Sequence, residues 1–118
     1  MNVAASRRRN QPAPPQVVFD DLYDPDRQPA RPWLVLNDDE VRPTVLESSR
    51  PTHVVWSSLW AQRPDASIRF DLTAADGGTD LRWTLCVGDP VPCDADIRRL
   101  RRRIDELINA NLRYTYGQ

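Results

Sequence analysis

Two runs of alternating apolar and polar residues, joined by a glycine-containing turn, constrain the fold more than any other feature of this sequence. Apolar side chains occupy every second position of residues 66–74, and residues 79–87 repeat the pattern. Because successive side chains of a β-strand point to opposite faces, each run predicts a strand with one buried face. The Asp76-Gly77 pair between the runs is a strong signal for a tight turn. The sequence therefore predicts an antiparallel hairpin as its best-defined element.

Two more strands are predicted upstream of this hairpin. Residues 53–61 alternate in the same way, with Trp56 and Trp60 on one face. Residues 40–48 form a weaker strand because Pro43 lacks the N–H that a central strand donates, which favours an edge position or a β-bulge. Short turns connect these segments. The four strands are therefore expected to form an antiparallel meander with one face covered.

One helix is predicted on each side of this meander along the chain. The first begins at Pro14-Pro15, where proline is tolerated in a first turn, and ends at Asp24-Pro25. The second is long, with Asp94 as its N-cap and Gly117 as its C-terminal stop. Its apolar residues form one stripe at helical spacing: Ile97, Leu100, Ile104, Leu107, Ile108 and Leu112.

The remaining segments are less regular. Val3 to Ala5 are expected to begin an edge strand within an opening segment of residues 1–13. Residues 25–39 contain several prolines and predict a loop or short helix that packs into the core through Trp33 and its apolar neighbours. Because the meander and the long helix each need their apolar face covered, we expect them to pack together as one α+β domain spanning residues 1–118.

Composition excludes several classes of function. The 118 residues have a formal net charge of -1, which gives no overall field for nucleic acid. No apolar run reaches the roughly 20 residues of a membrane span, and no signal peptide is evident, so a cytoplasmic location is expected. Cys86, Cys93 and the single His53 lack the spacing of a metal site, so neither metal nor cofactor is predicted. The absence of lysine is typical of a high-GC bacterial coding bias.

Three stretches of sequence are similar to those of a known superfamily: APPQVVFDDLYDPDR at 13–27, LTAADGGTDLRWTL at 72–85 and RRLRRRIDELINANL at 98–112. Together they resemble the START-type helix-grip superfamily, also called SRPBCC, which includes polyketide cyclases and lipid-transfer proteins. The resemblance implies a curled antiparallel β-sheet wrapped around a long C-terminal helix, with a short N-terminal helix. It also implies a cavity between sheet and helix that holds an apolar or aromatic ligand. The chain has fewer strands than the family usually has, and no catalytic residue is carried over.

The tryptophans and one asparagine suggest where such a ligand would bind. Four tryptophans are many for a chain of this length, and aromatic walls suit a flat apolar ligand. Asn111 lies on the apolar stripe of the long helix, where a polar group needs a partner such as a ligand carbonyl. The predicted lining residues are Trp33, Phe70, Trp83, Leu107 and Asn111. The alternative interpretation is that the tryptophans fill the core and that Asn111 binds a strand backbone.

Two other functions remain open from the sequence. A cyclase- or dehydratase-like enzyme would use the same cavity, with His53 or Arg101 as its reactive group. An interaction module would dock a partner or a second copy of the chain through an exposed strand face that carries Trp56 and Trp60. The leading hypothesis is a noncatalytic binding protein for a hydrophobic or aromatic small molecule, which binds no nucleic acid and does not insert into membranes.

Overall fold

The computed structural model describes residues 1–117 as a five-stranded antiparallel sheet with helices packed against one face. Its elements are β1 (Asn2–Gln11), α1 (Pro15–Tyr23), β2 (Val45–Ser49), β3 (His53–Ser57), β4 (Ser67–Ala75), β5 (Gly78–Val87), α2 (Asp94–Asp105), a π-helical segment (Glu106–Leu112) and α3 (Arg113–Thr115). The strand order is β1-β5-β4-β3-β2, and every neighbouring pair is antiparallel. The predicted α+β class and the two edge strands are confirmed.

The central hairpin has the predicted turn. Ala75 pairs with Gly78, and the two residues between them, Asp76 and Gly77, have φ of 50° and 78°. Positive φ at both positions is the type I′ geometry that matches the twist of the flanking strands. Gly78 serves a different purpose, because a Cβ there would lie 2.1 Å from the backbone oxygen of Gln11. Glycine therefore lets β1 approach β5 at the end of the hairpin.

The helices cover the face of the sheet that carries the apolar residues. On β3, β4 and β5 this inner face presents buried side chains at alternate positions: Val54, Trp56, Ile68, Phe70, Leu72, Leu81, Trp83, Leu85 and Val87. The helical stripe is buried against them: Leu100, Ile104, Leu107, Ile108 and Leu112. α1 adds Val18, Phe19 and Leu22 to the same cluster. The expectation that the meander and the long helix bury each other is confirmed.

β3 is shorter than the sequence pattern predicts, because it ends at Ser57 instead of Ala61. Ser58, Leu59 and Trp60 are all buried in succession, which a strand with alternating faces does not allow. The Ser58 hydroxyl accepts a hydrogen bond from the Trp60 N–H at 3.0 Å and donates to the Trp60 carbonyl at 3.1 Å. This local bonding replaces the strand ladder and turns the chain.

The two edge strands differ from expectation in their extent. β2 begins at Val45, after Pro43, and its register with β3 shifts between Val45 and Glu47, as expected for an irregular edge. β1 is longer than predicted and continues through Arg7–Arg9 to Gln11. Its pairing with β5 holds these polar residues in a strand although their own propensity is low.

The C-terminal helix changes geometry along its length. α2 begins at Asp94, and Cys93 occupies the N-cap position without a side-chain hydrogen bond, so the prediction of Asp94 as N-cap is wrong. Asp94 instead lies in the first turn, where a carboxylate favours the helix dipole. From Glu106 to Leu112 the helix is of the rare π type, which the sequence pattern did not indicate. Gly117, with φ of 86°, follows the last helical turn as predicted.

Candidate functional site

The predicted polar anchor, Asn111, lies in the wall of an open cleft. The cleft has a volume of about 740 Å³ and separates the irregular segment 24–44 from the last turns of the C-terminal helix. Its size lies in the range of small-molecule sites. Its walls come from both elements: Ala30, Arg31, Pro32, Val35, Asn111, Tyr114, Thr115 and Gly117. Val35 is 56% exposed and Tyr114 is 77% exposed, so the cleft offers apolar surface to solvent.

Trp33 adjoins two residues that line this cleft, its chain neighbour Pro32 and its hydrogen-bond partner Asn111. Its backbone oxygen accepts a hydrogen bond from Nδ2 of Asn111 at 3.3 Å, which joins the irregular segment to the helix. Its indole ring is buried and stacks on Trp56, with 6.0 Å between ring centroids. Trp56 meets Phe70 edge-on at 4.8 Å. Trp33, Trp56 and Phe70 therefore form a series of contacting rings in the core, and the backbone of Trp33 is bonded to Asn111.

The Trp33 indole has an unsatisfied hydrogen-bond donor. Its Nε1 is buried and has no acceptor among residues 1–117. Leaving a buried donor unpaired costs on the order of 1–3 kcal/mol, so most native donors find a partner. The Trp56 N–H shows the usual situation, because it donates to the Leu22 carbonyl at 2.8 Å. Of these two stacked indoles, only Trp33 has an N–H without a hydrogen-bond acceptor among the described residues.

The other three predicted lining residues lie in the core. Phe70, Trp83 and Leu107 are each buried at 1% exposure or less. None of them lines the Asn111 cleft or any of four other clefts on residues 1–117. The Trp83 indole N–H is already used, since it donates to Oδ1 of Asp105 at 3.0 Å. Of the five predicted lining residues, the structure thus places Asn111 in the wall of the cleft, bonds Trp33 to it through the backbone, and places Phe70, Trp83 and Leu107 in the packed interior.

A buried ion pair fixes one wall of the cleft. The Arg103 guanidinium binds Glu40 through two hydrogen bonds of 2.7 and 2.8 Å and also donates to the Val35 carbonyl at 2.6 Å. The Glu40 side chain is only 2% exposed. Burial by itself raises the pKa of the Glu40 carboxyl, but hydrogen bonds from Arg103 and from the Asn37 N–H outweigh it and lower the pKa overall. Glu40 therefore remains charged and holds residues 35–40 on the helix.

A second polar contact fixes the end of the helix. The Tyr116 hydroxyl donates to Oδ2 of Asp21 at 2.6 Å, and Oδ1 of the same carboxylate accepts from Arg27 at 2.7 Å. Burial and the neighbouring Asp21 carboxylate both raise the pKa of the Tyr116 phenol. The phenol therefore stays protonated and continues to donate. This contact joins α1, the irregular segment and the residues that follow α3.

The residues proposed for catalysis are not brought together. His53 lies on the outer face of the sheet, because its neighbour Val54 faces the core, and its Nδ1 is 3.2 Å from Oδ1 of Asp71. Arg101 lies on α2, which covers the inner face. The sheet therefore separates these two alternative reactive groups, and neither of them lines the Asn111 cleft.

The interaction surface predicted for the Trp56 strand face is wrong. Trp56 and Trp60 are only 1% and 4% exposed, because both indoles fill the space beneath the helices. Sequence reasoning also missed Val35 and Tyr114 as cleft residues. Tyr114 lies just beyond the apolar stripe, so helical periodicity gave no reason to single it out, and Val35 lies in a segment without any periodicity. Among residues 1–117, no helix has both the length and the apolar character required to cross a membrane.

Comparison with known proteins identifies the architecture. No protein-family model matches the chain, and no curated protein matches it significantly. Among solved structures, the crystal structure of CalU16 from Micromonospora echinospora superposes with a TM-score of 0.67 at 16% identity, covering 88% of this chain and 70% of that one. The crystal structure of Ara h 8.0201 gives 0.67 at 15% identity, with 97% of each chain covered.

A third structure extends the same likeness. The solution structure of the Aha1 dimer from Colwellia psychrerythraea gives a TM-score of 0.65 at 14% identity, covering 90% of this chain and 91% of that one. These superpositions show a common fold. At identities of 14–16%, they do not carry a ligand or an activity over to this chain. With its curled five-stranded sheet, short N-terminal helix and long C-terminal helix, this chain has the START-type helix-grip fold.

Proposed function

We propose that this protein is a noncatalytic binding protein for an apolar or aromatic small molecule, which it holds in the cleft beside Asn111. The proposal rests on one observation, which is that this cleft combines the volume of a ligand site with exposed apolar side chains in its walls. It has a volume of about 740 Å³, and the exposed residues Val35 and Tyr114 line it together with Asn111. Ligand sites typically combine apolar walls with a few polar groups that orient the ligand.

Asn111 supplies the orienting group. Its Nδ2 already donates to the Trp33 carbonyl, and its Oδ1 accepts no hydrogen bond from residues 1–117. The free carbonyl oxygen of the amide suits a ligand hydroxyl or N–H. In this proposal Trp33 and Asn111 form the inner side of the site, while Phe70, Trp83 and Leu107 support it from the core. The ligand therefore rests between the irregular segment and the last turns of the C-terminal helix.

A fluorescence titration tests this proposal. We expect 1-naphthol, used as an aromatic probe, to quench tryptophan emission saturably, because Trp33 adjoins the cleft residues Pro32 and Asn111. Decanoate serves as the acyl probe in a parallel titration. Val35→Asp should weaken binding about tenfold or more, since it places a charge in the apolar wall.

Val41→Asp is the matched control. Val41 belongs to the same irregular segment and is similarly exposed at 42%, but it does not line the cleft. We expect this variant to bind as the unmodified chain does. The proposal is overturned if neither probe quenches saturably, or if the two aspartate variants weaken binding equally.

A further inference from the structure

A second cleft, unrelated to the Asn111 site, lies between the edge strand β1 and helix α2. It has a volume of about 600 Å³. Five of its lining residues are arginines: Arg7, Arg9, Arg98, Arg101 and Arg102. It shares no residue with the cleft that contains Asn111. The chain as a whole carries a net charge of -1, so this concentration of positive charge is local.

The arginines of β1 lie on an unexpected face of the sheet. Arg7 pairs with Trp83 and Arg9 pairs with Leu81, and both partners belong to the buried inner face. Directly paired residues of antiparallel strands share a face, so Arg7 and Arg9 also point to the helix side. Strand alternation would place apolar residues at these positions. Guanidinium groups there keep the space between β1 and α2 open and polar.

The helix contributes its arginines from one side. Arg98, Arg101 and Arg102 occupy positions i, i+3 and i+4 of α2, which lie next to one another on a helix surface. Strand and helix therefore face each other with cationic side chains. Like charges at this spacing repel, and the repulsion is relieved when an anion binds between them.

The acidic residues of this cleft are already paired. Asp105 accepts hydrogen bonds from Arg7 at 2.8 Å, from the Trp83 indole at 3.0 Å and from the Asn109 amide at 3.0 Å. Glu106 is paired with Arg103, which lies outside the cleft. Both carboxylates are thus engaged in holding the scaffold.

The remaining cations of the cleft have no such partner. Among residues 1–117, no carboxylate forms an ion pair with Arg9, Arg98, Arg101 or Arg102. Four guanidinium groups are therefore available around one concave surface. A planar guanidinium donates two parallel hydrogen bonds to phosphate oxygens, which makes arginine well suited to phosphate recognition.

We propose that this cleft binds the phosphate groups of a small phosphorylated molecule, with a diphosphate matching the four available arginines. Arg7 is held in place by Asp105 and forms one fixed side of the site. The other four arginines are free to close around the anion. The volume of about 600 Å³ leaves room for an organic group beyond the phosphates.

Isothermal titration of the full chain with inorganic pyrophosphate tests this site, with ionic strength held constant by sodium chloride so that general screening does not change. We expect saturable binding. Arg98→Gln and Arg101→Gln should each weaken it about tenfold, because each removes a charge-assisted contact. Both side chains are exposed, so circular dichroism should show an unchanged fold.

Arg82→Gln is the matched control. Arg82 is exposed, has no ion-pair partner among the described residues and lies on the outer face, where it pairs with Arg8 and Asp71 in register. Its loss changes the net charge by the same amount and should leave pyrophosphate affinity within about twofold. An equal loss in Arg82→Gln and Arg98→Gln would show general charge attraction and overturn the proposal. So would the absence of saturable binding to the unmodified chain.

A second titration with adenosine diphosphate identifies what else is recognised. Equal affinities for both ligands assign recognition to the phosphate groups, whereas tighter binding of the nucleotide shows that an organic group contributes as well. Quenching of tryptophan emission by 1-naphthol should be the same in Arg98→Gln as in the unmodified chain, since the two clefts share no residue. The two proposals can therefore fail separately.

Discussion

The irregular segment 24–44 and the meander 45–87 both contribute to the core, but different forces hold them in place. In the meander, backbone ladders join each strand to the next, and alternation fixes which side chains are buried. The irregular segment contains no strand or helix, yet Trp33 and Leu34 are buried in the same cluster. A ladder distributes its stabilisation over many equivalent bonds, whereas this segment depends on a few individual side chains.

The end of the irregular segment bonds the chain around residues 57–60, through the Val41 N–H and the Thr44 carbonyl, but the part that lines the cleft is bonded to the C-terminal helix. Arg103 binds Glu40 and the Val35 carbonyl, and Asn111 binds the Trp33 carbonyl. These few contacts set the position of one wall of the Asn111 cleft. We therefore expect substitutions in the meander to change global stability, and substitutions at these contacts to change the cleft as well.

The largest effect is expected from Trp56→Ala in the meander. The side chain is fully buried, stacks on Trp33 and donates to the Leu22 carbonyl, so its removal leaves a large cavity and an unpaired acceptor. Truncating a buried aromatic residue costs about 3–5 kcal/mol. Urea denaturation should show a loss of this size. Leu46→Ala, at an exposed position of edge strand β2, should change the free energy of unfolding by about 0.5 kcal/mol or less. Similar losses in both variants would contradict the burial of Trp56.

A smaller loss, about 3 kcal/mol, is expected from Glu40→Ala in the irregular segment. This change leaves the Arg103 guanidinium, whose side chain is 12% exposed, without its main partner, and uncompensated buried charge is costly. Urea denaturation measures the loss in free energy of unfolding. Hydrogen exchange should show that protection falls more at residues 37–41 than in β4 and β5.

Asp26→Ala provides the control for this change. Asp26 belongs to the same segment, and its pair with Arg42 is exposed on both sides, at 62% and 50%. Exposed pairs contribute about 0–1 kcal/mol, so this variant should remain close to the unmodified chain. If the two alanine variants lost equal stability, the Glu40 pair would not be the contact that holds the segment.

The same contrast explains how much the sequence could predict. The hairpin turn, β4, β5, α1 and the stripe of the C-terminal helix follow from local periodicity and from Asp76-Gly77, and all are present. These elements are specified by neighbouring residues along the chain. Nothing comparable marks residues 24–44, whose position is set by partners such as Arg103 that lie more than sixty residues away. Predicting that pairing requires knowing the fold first.

The residues of the two clefts were also only partly predictable from the sequence. Asn111 was recognised because a polar residue interrupts an apolar stripe, and it does lie at a cleft. Val35 interrupts no pattern that is visible in the sequence, and nothing in the sequence shows which face of the sheet Arg9 occupies, so the place of both residues in the two clefts emerges only from packing. The tryptophans were ambiguous for a related reason, because apolar periodicity shows that a side chain is buried without showing whether space remains beside it. The π-helical segment is another feature of packing that periodicity did not reveal.

The smallest effect expected from the irregular segment is a pH dependence that originates at Glu40. Its pKa is lowered in the folded state, below the usual value of 4.5, because hydrogen bonds to the carboxylate outweigh its burial. A depressed folded-state pKa contributes stability above the unfolded pKa, and that contribution is lost as the pH falls from about 4.5 through the folded value. Glu40→Gln removes the titration and retains most of the packing. The difference in free energy of unfolding between the two proteins should therefore be largest near neutral pH and shrink on acidification.

Asp20 is a second carboxylate of lowered pKa among residues 1–117, and it does not affect this difference. The pKa of Asp20 is lowered by its hydrogen bond from Arg50, and this pair is present in both proteins, so its contribution cancels in the difference. Urea denaturation of both proteins between pH 7 and pH 3 supplies the data. A difference that stays constant over this range would mean that Glu40 gains nothing from Arg103 in its charged form. The segment would then be held on the helix by the burial of Trp33 and Leu34 and by hydrogen bonds that do not involve the Glu40 carboxylate, such as that from Asn111 to the Trp33 carbonyl. Acid would then leave the wall of the Asn111 cleft in place.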